Sequence, residues 1–168
     1  MKFRRDLALG SKGEAYLQAI LEKAGWKTEL NTDSRKNKDY DIKACKDEQA
    51  ITFEVKYDVY AARSGNIAIE FYNPKICQPS GIDSTKATFW AHIITDPMSV
   101  WVAPVAQLKS FLKTTPAFRV ITCGGDDNSS MYLYKKEVIL SKVFTRIDEC
   151  DETSLRGILL CPSLTGGK

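Results

Sequence analysis

Histidine is almost missing from this chain: His92 is the only one in 168 residues. That excludes the histidine-rich zinc sites and paired-histidine metal centres of many hydrolases. Acid–base work must then fall to carboxylates, lysine, tyrosine or water beside a cation. Cysteine is present but unorganised. Cys45, Cys77, Cys123, Cys150 and Cys161 are scattered, odd in number and include no CxxC pair. Reduced, mostly buried thiols are expected, with neither a zinc knuckle nor a disulfide framework. No run approaches the ~18 apolar residues of a membrane span. The charged start, Met1 to Asp6, leads into no long apolar stretch, so no secretory signal is read there and a cytoplasmic location is expected, without membrane partners.

Charge of one sign is also scarce, since the net formal charge is only +3. The distribution says more: Lys2, Arg4 and Arg5 open the chain, and Arg35-Lys36-Asn37-Lys38 forms a second cluster. Such clusters suit a phosphate backbone, although each alone also suits a solvated face. Hydrophobic content of 43% with 27% charged residues is ordinary for a globular chain. We read residues 1–161 as one domain and the small, polar 162–168 as a flexible tail.

From Ser11 to Trp26 the pattern is helical, with Leu17, Ile20, Leu21 and Ala24 on one stripe and Gly25 as the stop. Glu14 falls within that apolar stripe, where an acid needs a partner. Asp39–Cys45 and Ala50–Asp58 alternate as strands around the polar turn Lys46-Asp47-Glu48-Gln49, which predicts an antiparallel hairpin. Asn66–Tyr72 reads as a third strand, Asn73–Ser84 as irregular, and Ser84-Thr85-Lys86 as the start of a short helix. Strands are expected near Phe89–Thr95, Val100–Val105, Arg119–Cys123 and Met131–Tyr134, and helices over Pro104–Lys113 and Lys135–Phe144. This order predicts an α/β fold with a central mixed β-sheet flanked by helices.

The chemistry-bearing pattern is Asp41 on the first hairpin strand, then Glu54-Val55-Lys56 on the second. Period-two alternation puts Glu54 and Lys56 on one face, opposite Ile51, Phe53, Val55 and Tyr57. Two close carboxylates repel unless a cation sits between them. Hard oxygen donors favour Mg2+, with Mn2+ able to substitute. Lys56 has three roles open: orienting water, acting as base if its pKa is lowered, or neutralising a pentavalent phosphate. His92, Trp90 and Trp101 read as core residues, and Asp126-Asp127-Asn128 as a hairpin turn rather than a calcium loop.

Gly13-Glu14-x-x-Leu17, Tyr40-Asp41-Ile42 and Phe53-Glu54-Val55-Lys56 together resemble the PD-(D/E)XK nuclease superfamily over roughly the first half of the chain. The superfamily has proline where Tyr40 stands. The resemblance implies a single-domain restriction-endonuclease-like fold. It implies Asp41, Glu54, the Val55 carbonyl and Glu14 as metal-site residues, and Lys56 as the catalytic lysine. The segments Gly65 to Phe71, Pro79 to Ile82 and Thr85 to Ala87 are similar to small phage and resolvase-like members. That likeness places Ser80, Thr85 and Lys86 at the site or on phosphate, and a Gly-Ile turn with hydroxyls before a helix would suit an anion. Glu70 is a further accessory candidate.

These readings imply a metal-dependent deoxyribonuclease acting on DNA, branched DNA by the likeness to Holliday junction resolvases. Cutting two strands in register would require a homodimer. No small-molecule cofactor is called for. The alternatives are a non-catalytic DNA-binding protein on the same scaffold and a restriction- or repair-type nuclease with sequence preference.

Overall fold

A computed structural model describes residues 2–31, 39–123 and 128–160. The first helix, α1 (Lys2–Lys23), begins well before its apolar stripe does. It stops at Gly25, whose φ of +80° is open to glycine at little steric cost. There the Trp26 N–H reaches back to the Leu21 carbonyl. Leu17 and Leu21 are fully buried by this helix. Gly13 lets it approach the sheet, since a Cβ there would sit 3.0 Å from the Tyr57 Cβ.

The central sheet has six strands: β1 (Lys27–Leu30), β2 (Ile42–Lys46), β3 (Gln49–Asp58), β6 (Phe89–Ile94), β7 (Ser99–Pro104) and β10 (Thr145–Arg146), side by side in that order. The β2–β3 hairpin is antiparallel, with Ile42 opposite Phe53 and Lys46 opposite Gln49. β3 runs parallel to β6, pairing Glu54 with Trp90 and Lys56 with His92. The other pairings are antiparallel, so the sheet is mixed. The order places β3 and β6 inside the sheet, and every residue of β6 is buried.

The third expected strand leaves this sheet. After the short α2 (Ala61–Ser64), β4 (Asn66–Asn73) joins β5 (Gln78–Pro79), β9 (Ser129–Lys135) and β8 (Arg119–Cys123) in a second, antiparallel sheet ordered β5-β4-β9-β8. The helices α3 (Val105–Thr114), α4 (Lys136–Val143) and α5 (Glu152–Leu160) complete the described chain.

Two cores result, one on each face of the central sheet. Ile42, Ile51, Phe53, Val55, Phe89 and Ile93 pack with Leu17 and Leu21 of α1 and Leu155 and Leu159 of α5. Trp90, Ile94 and Ala103 face the other way. They pack with Ile67 and Ile69 of β4, Leu108 of α3 and Ile139 of α4. The face of β3 that carries Glu54 and Lys56 is therefore not an outer surface, and Glu54 is only 8% exposed. Among the described residues, no helix is long and apolar enough to cross a membrane.

Candidate active site

The hairpin register explains where the acids meet. Ladder pairing of β2 with β3 stops at Ile42 opposite Phe53. Beyond that point the strands part, and the Val55 N–H has no ladder partner on β2. The Asp41 carboxylate takes it instead, with Oδ2 accepting the bond at 2.7 Å. The Asp41 N–H still reaches the Phe53 carbonyl at 2.8 Å. A side chain thus replaces a backbone rung, and it brings a carboxylate beside Glu54.

The segment leading into Asp41 is gripped from two sides. Asn31, just past β1, donates its side-chain amide to the Tyr40 carbonyl at 2.7 Å and its backbone N–H to the Asp41 carbonyl at 2.8 Å. From the other side, the Lys86 N–H and the Thr85 hydroxyl both donate to the Asp39 carbonyl, at 2.9 and 3.2 Å. Buried backbone polar groups need such partners, and here they also fix the carboxylate's approach.

Lys56 donates to Glu54 Oε1 at 2.6 Å, and its side chain is 33% exposed. Burial alone would lower the lysine's pKa. The charges of Glu54 and Asp41, the hydrogen bond to Glu54 and the charge of Glu70 outweigh it, and the net displacement is upward. Lys56 is therefore an ammonium near neutral pH. Of its three open roles, the free-base role loses its physical basis.

Asp41 is displaced upward as well, to about 6, which for an acid disfavours the charged form. Burial is the largest cause, followed by the Glu54 charge; Lys56 and the Val55 N–H oppose it, and Glu14 adds slightly. Glu14 is also raised, first by burial and then by Glu54, against the pull of Lys56. Four carboxylates (Glu14, Asp41, Glu54 and Glu70) thus interact with one ammonium. The carboxylates outnumber the ammonium, and Asp41 and Glu14 resist ionising.

These donors suit a hard cation by chemistry, since all are oxygens and two of them already repel. Geometrically they are not gathered as a finished cage. Among the described residues, no three His, Cys, Asp or Glu side chains form a ready ligand group. Glu54 is turned to Lys56 and Asp41 to the Val55 amide.

The remaining expected residues divide. Ser80 and Glu70 lie close together, because Gly81 packs on the Glu70 backbone; a Cβ at Gly81 would overlap the Glu70 carbonyl oxygen and lie 2.9 Å from its Cβ. The Ser80 hydroxyl is buried and has no hydrogen-bond partner among the described residues, while its N–H bonds to the Phe71 carbonyl. Thr85 and Lys86 do not begin a helix. Only a short 3-10 turn, Gly81–Asp83, forms there. The amides that would have faced an anion are used internally: Thr85 N–H by the Gly81 carbonyl, Lys86 N–H by Asp39, and Ala87 N–H by the Thr85 hydroxyl. Thr85 is 4% exposed and belongs to the clamp on Asp39. The Lys86 ammonium pairs with Asp39 at 3.1 Å and remains largely exposed. The side chains of Lys2, Arg4 and Arg5, and the whole of Arg35, Lys36 and Lys38, lie outside the described residues, as do Asp126, Asp127 and the tail 162–168.

Sequence reasoning missed Asn31, because β1 is four residues with weak alternation. It also left Asp58 unassigned and took His92 and Trp90 as core only; both are buried, and both are tied to the lysine's surroundings. No family model, curated protein or solved structure matches this chain.

Proposed function

We propose that this chain is a divalent-metal-dependent DNA endonuclease of the PD-(D/E)XK kind, built on a restriction-endonuclease-like fold. The observation that carries the reading is the charged Lys56 held among Asp41, Glu54, Glu14 and Glu70 where the hairpin strands part. A purely structural ion pair needs one acid for one lysine. Three further carboxylates only add repulsion, and removing charges from water is costly unless something repays it. A bound cation would offset that repulsion, and a phosphodiester would then meet the lysine.

Asp41, Glu54 and the Val55 carbonyl would hold Mg2+ or Mn2+. The chemistry such an ion supplies is Lewis acidity toward a phosphate oxygen and the hydrolytic water. The chain's own part is electrostatic and positional. Glu54 aims the Lys56 ammonium, which neutralises charge that builds on the phosphate as the P–O bond breaks. Asn31 and Thr85 hold the strand that aims Asp41. Lys86, exposed beside Asp39, would meet the DNA backbone. Branched DNA cut by a homodimer is the substrate and assembly favoured by the likeness to resolvases.

The test is direct cleavage. Supercoiled, linear, single-stranded and four-way-junction DNA are incubated with the protein in Mg2+, Mn2+ or EDTA. Cleavage should require the metal and vanish in Glu54→Ala and Lys56→Ala. Activity persisting in either variant would refute the assignment. Gel filtration that gives a strict monomer would remove the junction-resolving version.

A further inference from the structure

The one histidine of the chain lies in a buried line of contacts that ends at Lys56. By the parallel register of β3 and β6, Glu54, Lys56, Trp90 and His92 share one face of the central sheet. Lys56 Nζ sits over the Trp90 ring, 5.5 Å from its centre. Trp90 is fully buried, and its indole N–H points to His92 Nδ1 at 3.4 Å. An indole can only donate, so Nδ1 is the acceptor and the imidazole proton belongs on Nε2. His92 Nε2 lies 3.1 Å from Asp58 Oδ2. The other Asp58 oxygen is fixed in turn by the Tyr60 and Ala61 amides, both at 2.8 Å. Phe144 packs its ring against the imidazole, edge to face, at 6.3 Å.

Buried histidine and tryptophan are often no more than satisfied core residues. The order of this line argues for more. Each link is a single contact, and the line ends at an ammonium that lies on an aromatic face and is bonded to Glu54. A cation there is attracted by the ring's negative face, and the attraction depends on the ring's tilt. The tilt of Trp90 is set at its N–H by His92, and His92 is set by Asp58.

We propose that Asp58, His92 and Trp90 form a positioning chain that fixes the indole face under Lys56 and so holds its ammonium at Glu54. The proposal rests on Lys56 being the catalytic lysine. None of the three touches substrate; they act through the lysine.

Two variants separate this from packing alone. His92→Phe keeps an aromatic ring against Phe144 but leaves the Trp90 N–H without its acceptor. Asp58→Asn keeps an oxygen for the two amides but turns its NH2 to the His92 Nε2–H, donor against donor, and so loosens the imidazole without removing it. The first readout needs neither metal nor cleavage: the Lys56 Cε protons, over an indole face, should resonate upfield of other lysines in the metal-free protein. They should move toward ordinary lysine positions in His92→Phe and partly so in Asp58→Asn. The second readout is kinetic: a misplaced charge should lower kcat roughly tenfold in His92→Phe with KM for DNA unchanged. An unmoved Lys56 resonance in a folded variant, or an unchanged kcat, would overturn the proposal. Should His92→Phe fail to fold, Asp58→Asn decides by the same two readouts. If the wild-type protein cleaves no DNA, the nuclease reading fails, while the Lys56 resonances still decide the positioning.

Discussion

Changing Asp41→Asn in the metal-free protein removes a charge that the fold holds at a loss. Asp41 titrates at about 6 in the folded chain, against an ordinary value of 3.8, because burial and Glu54 both disfavour its ionised form. The attraction of Lys56 is already counted in that value. At ~1.4 kcal/mol per tenfold change in proton affinity, keeping Asp41 ionised at pH 8 costs the folded state about 3 kcal/mol. The sign follows from proton binding. Between 3.8 and about 6 the folded chain holds more protons than the unfolded one, so stability falls as pH rises through that window and then levels off. Asparagine keeps an oxygen for the Val55 N–H, but a neutral acceptor is weaker by ~1 kcal/mol. The variant should therefore gain roughly 2 kcal/mol at pH 8 in EDTA, on the order of 5 °C in melting temperature for a chain of this size.

Calorimetry or denaturant melts at pH 4 and pH 8, with EDTA or Mg2+, measure all of this. The gain should shrink toward zero at pH 4, where the wild-type carboxyl is largely protonated in the folded state and partly so in the unfolded one. Mg2+ at a hundred times its dissociation constant should raise wild-type stability by ~2.7 kcal/mol and leave Asp41→Asn nearly unmoved. A variant less stable than wild type at pH 8 in EDTA, or a difference the same at both pH values, would refute the electrostatic argument.

Gly81→Ala should destabilise by more than ~2 kcal/mol in thermal melts and lower cleavage, because its Cβ meets the Glu70 backbone and its φ of +50° disfavours any side chain. Thr85→Val should cost about 2 kcal/mol, since the buried Ala87 N–H loses its partner and Asp39 loses one of two donors; kcat should fall while DNA affinity holds, the reverse of what a phosphate contact would give. Lys86→Ala should leave stability unchanged, its pair with Asp39 being exposed. Its DNA binding should weaken and the salt dependence should fall by about one ion, read from titrations at several salt concentrations.

The local juxtaposition of Asp41, Glu54 and Lys56 was legible, and what surrounds it was not. The hairpin was readable because β2 and β3 are neighbours in sequence and their alternation is set by one apolar face. Glu54 and Lys56 share a face by period alone. That this face is covered depends on β4, which leaves the central sheet for another, and no local pattern in Asn66–Asn73 says which sheet it joins. The same gap explains why the helix expected to start at Ser84-Thr85-Lys86 does not form. Their residue types suit a helix start, but the Asp39 carbonyl, far away in sequence, claims the Lys86 amide and the Thr85 hydroxyl.

The site therefore has Asp41 and Glu54 in one short hairpin, Glu14 on α1 and Glu70 on β4, and its supports scattered through the chain. Asn31 comes from the end of β1, Thr85 from the turn before β6, and His92 and Trp90 from β6 itself. This division has a physical reason. Charges that repel, as Asp41 and Glu54 do, will drift apart unless the backbone behind them is fixed on both sides. Adjacent hairpin strands can bring such charges together, but the parting strands that make room for them also give up ladder bonds that would have held them. The lost rung at Val55 is replaced by Asp41 itself, and the backbone around Asp41 by Asn31 and Thr85. A variant that cuts one of these distant grips should thus resemble damage to the acid it holds: catalysis falls first, and stability by no more than the hydrogen bond removed.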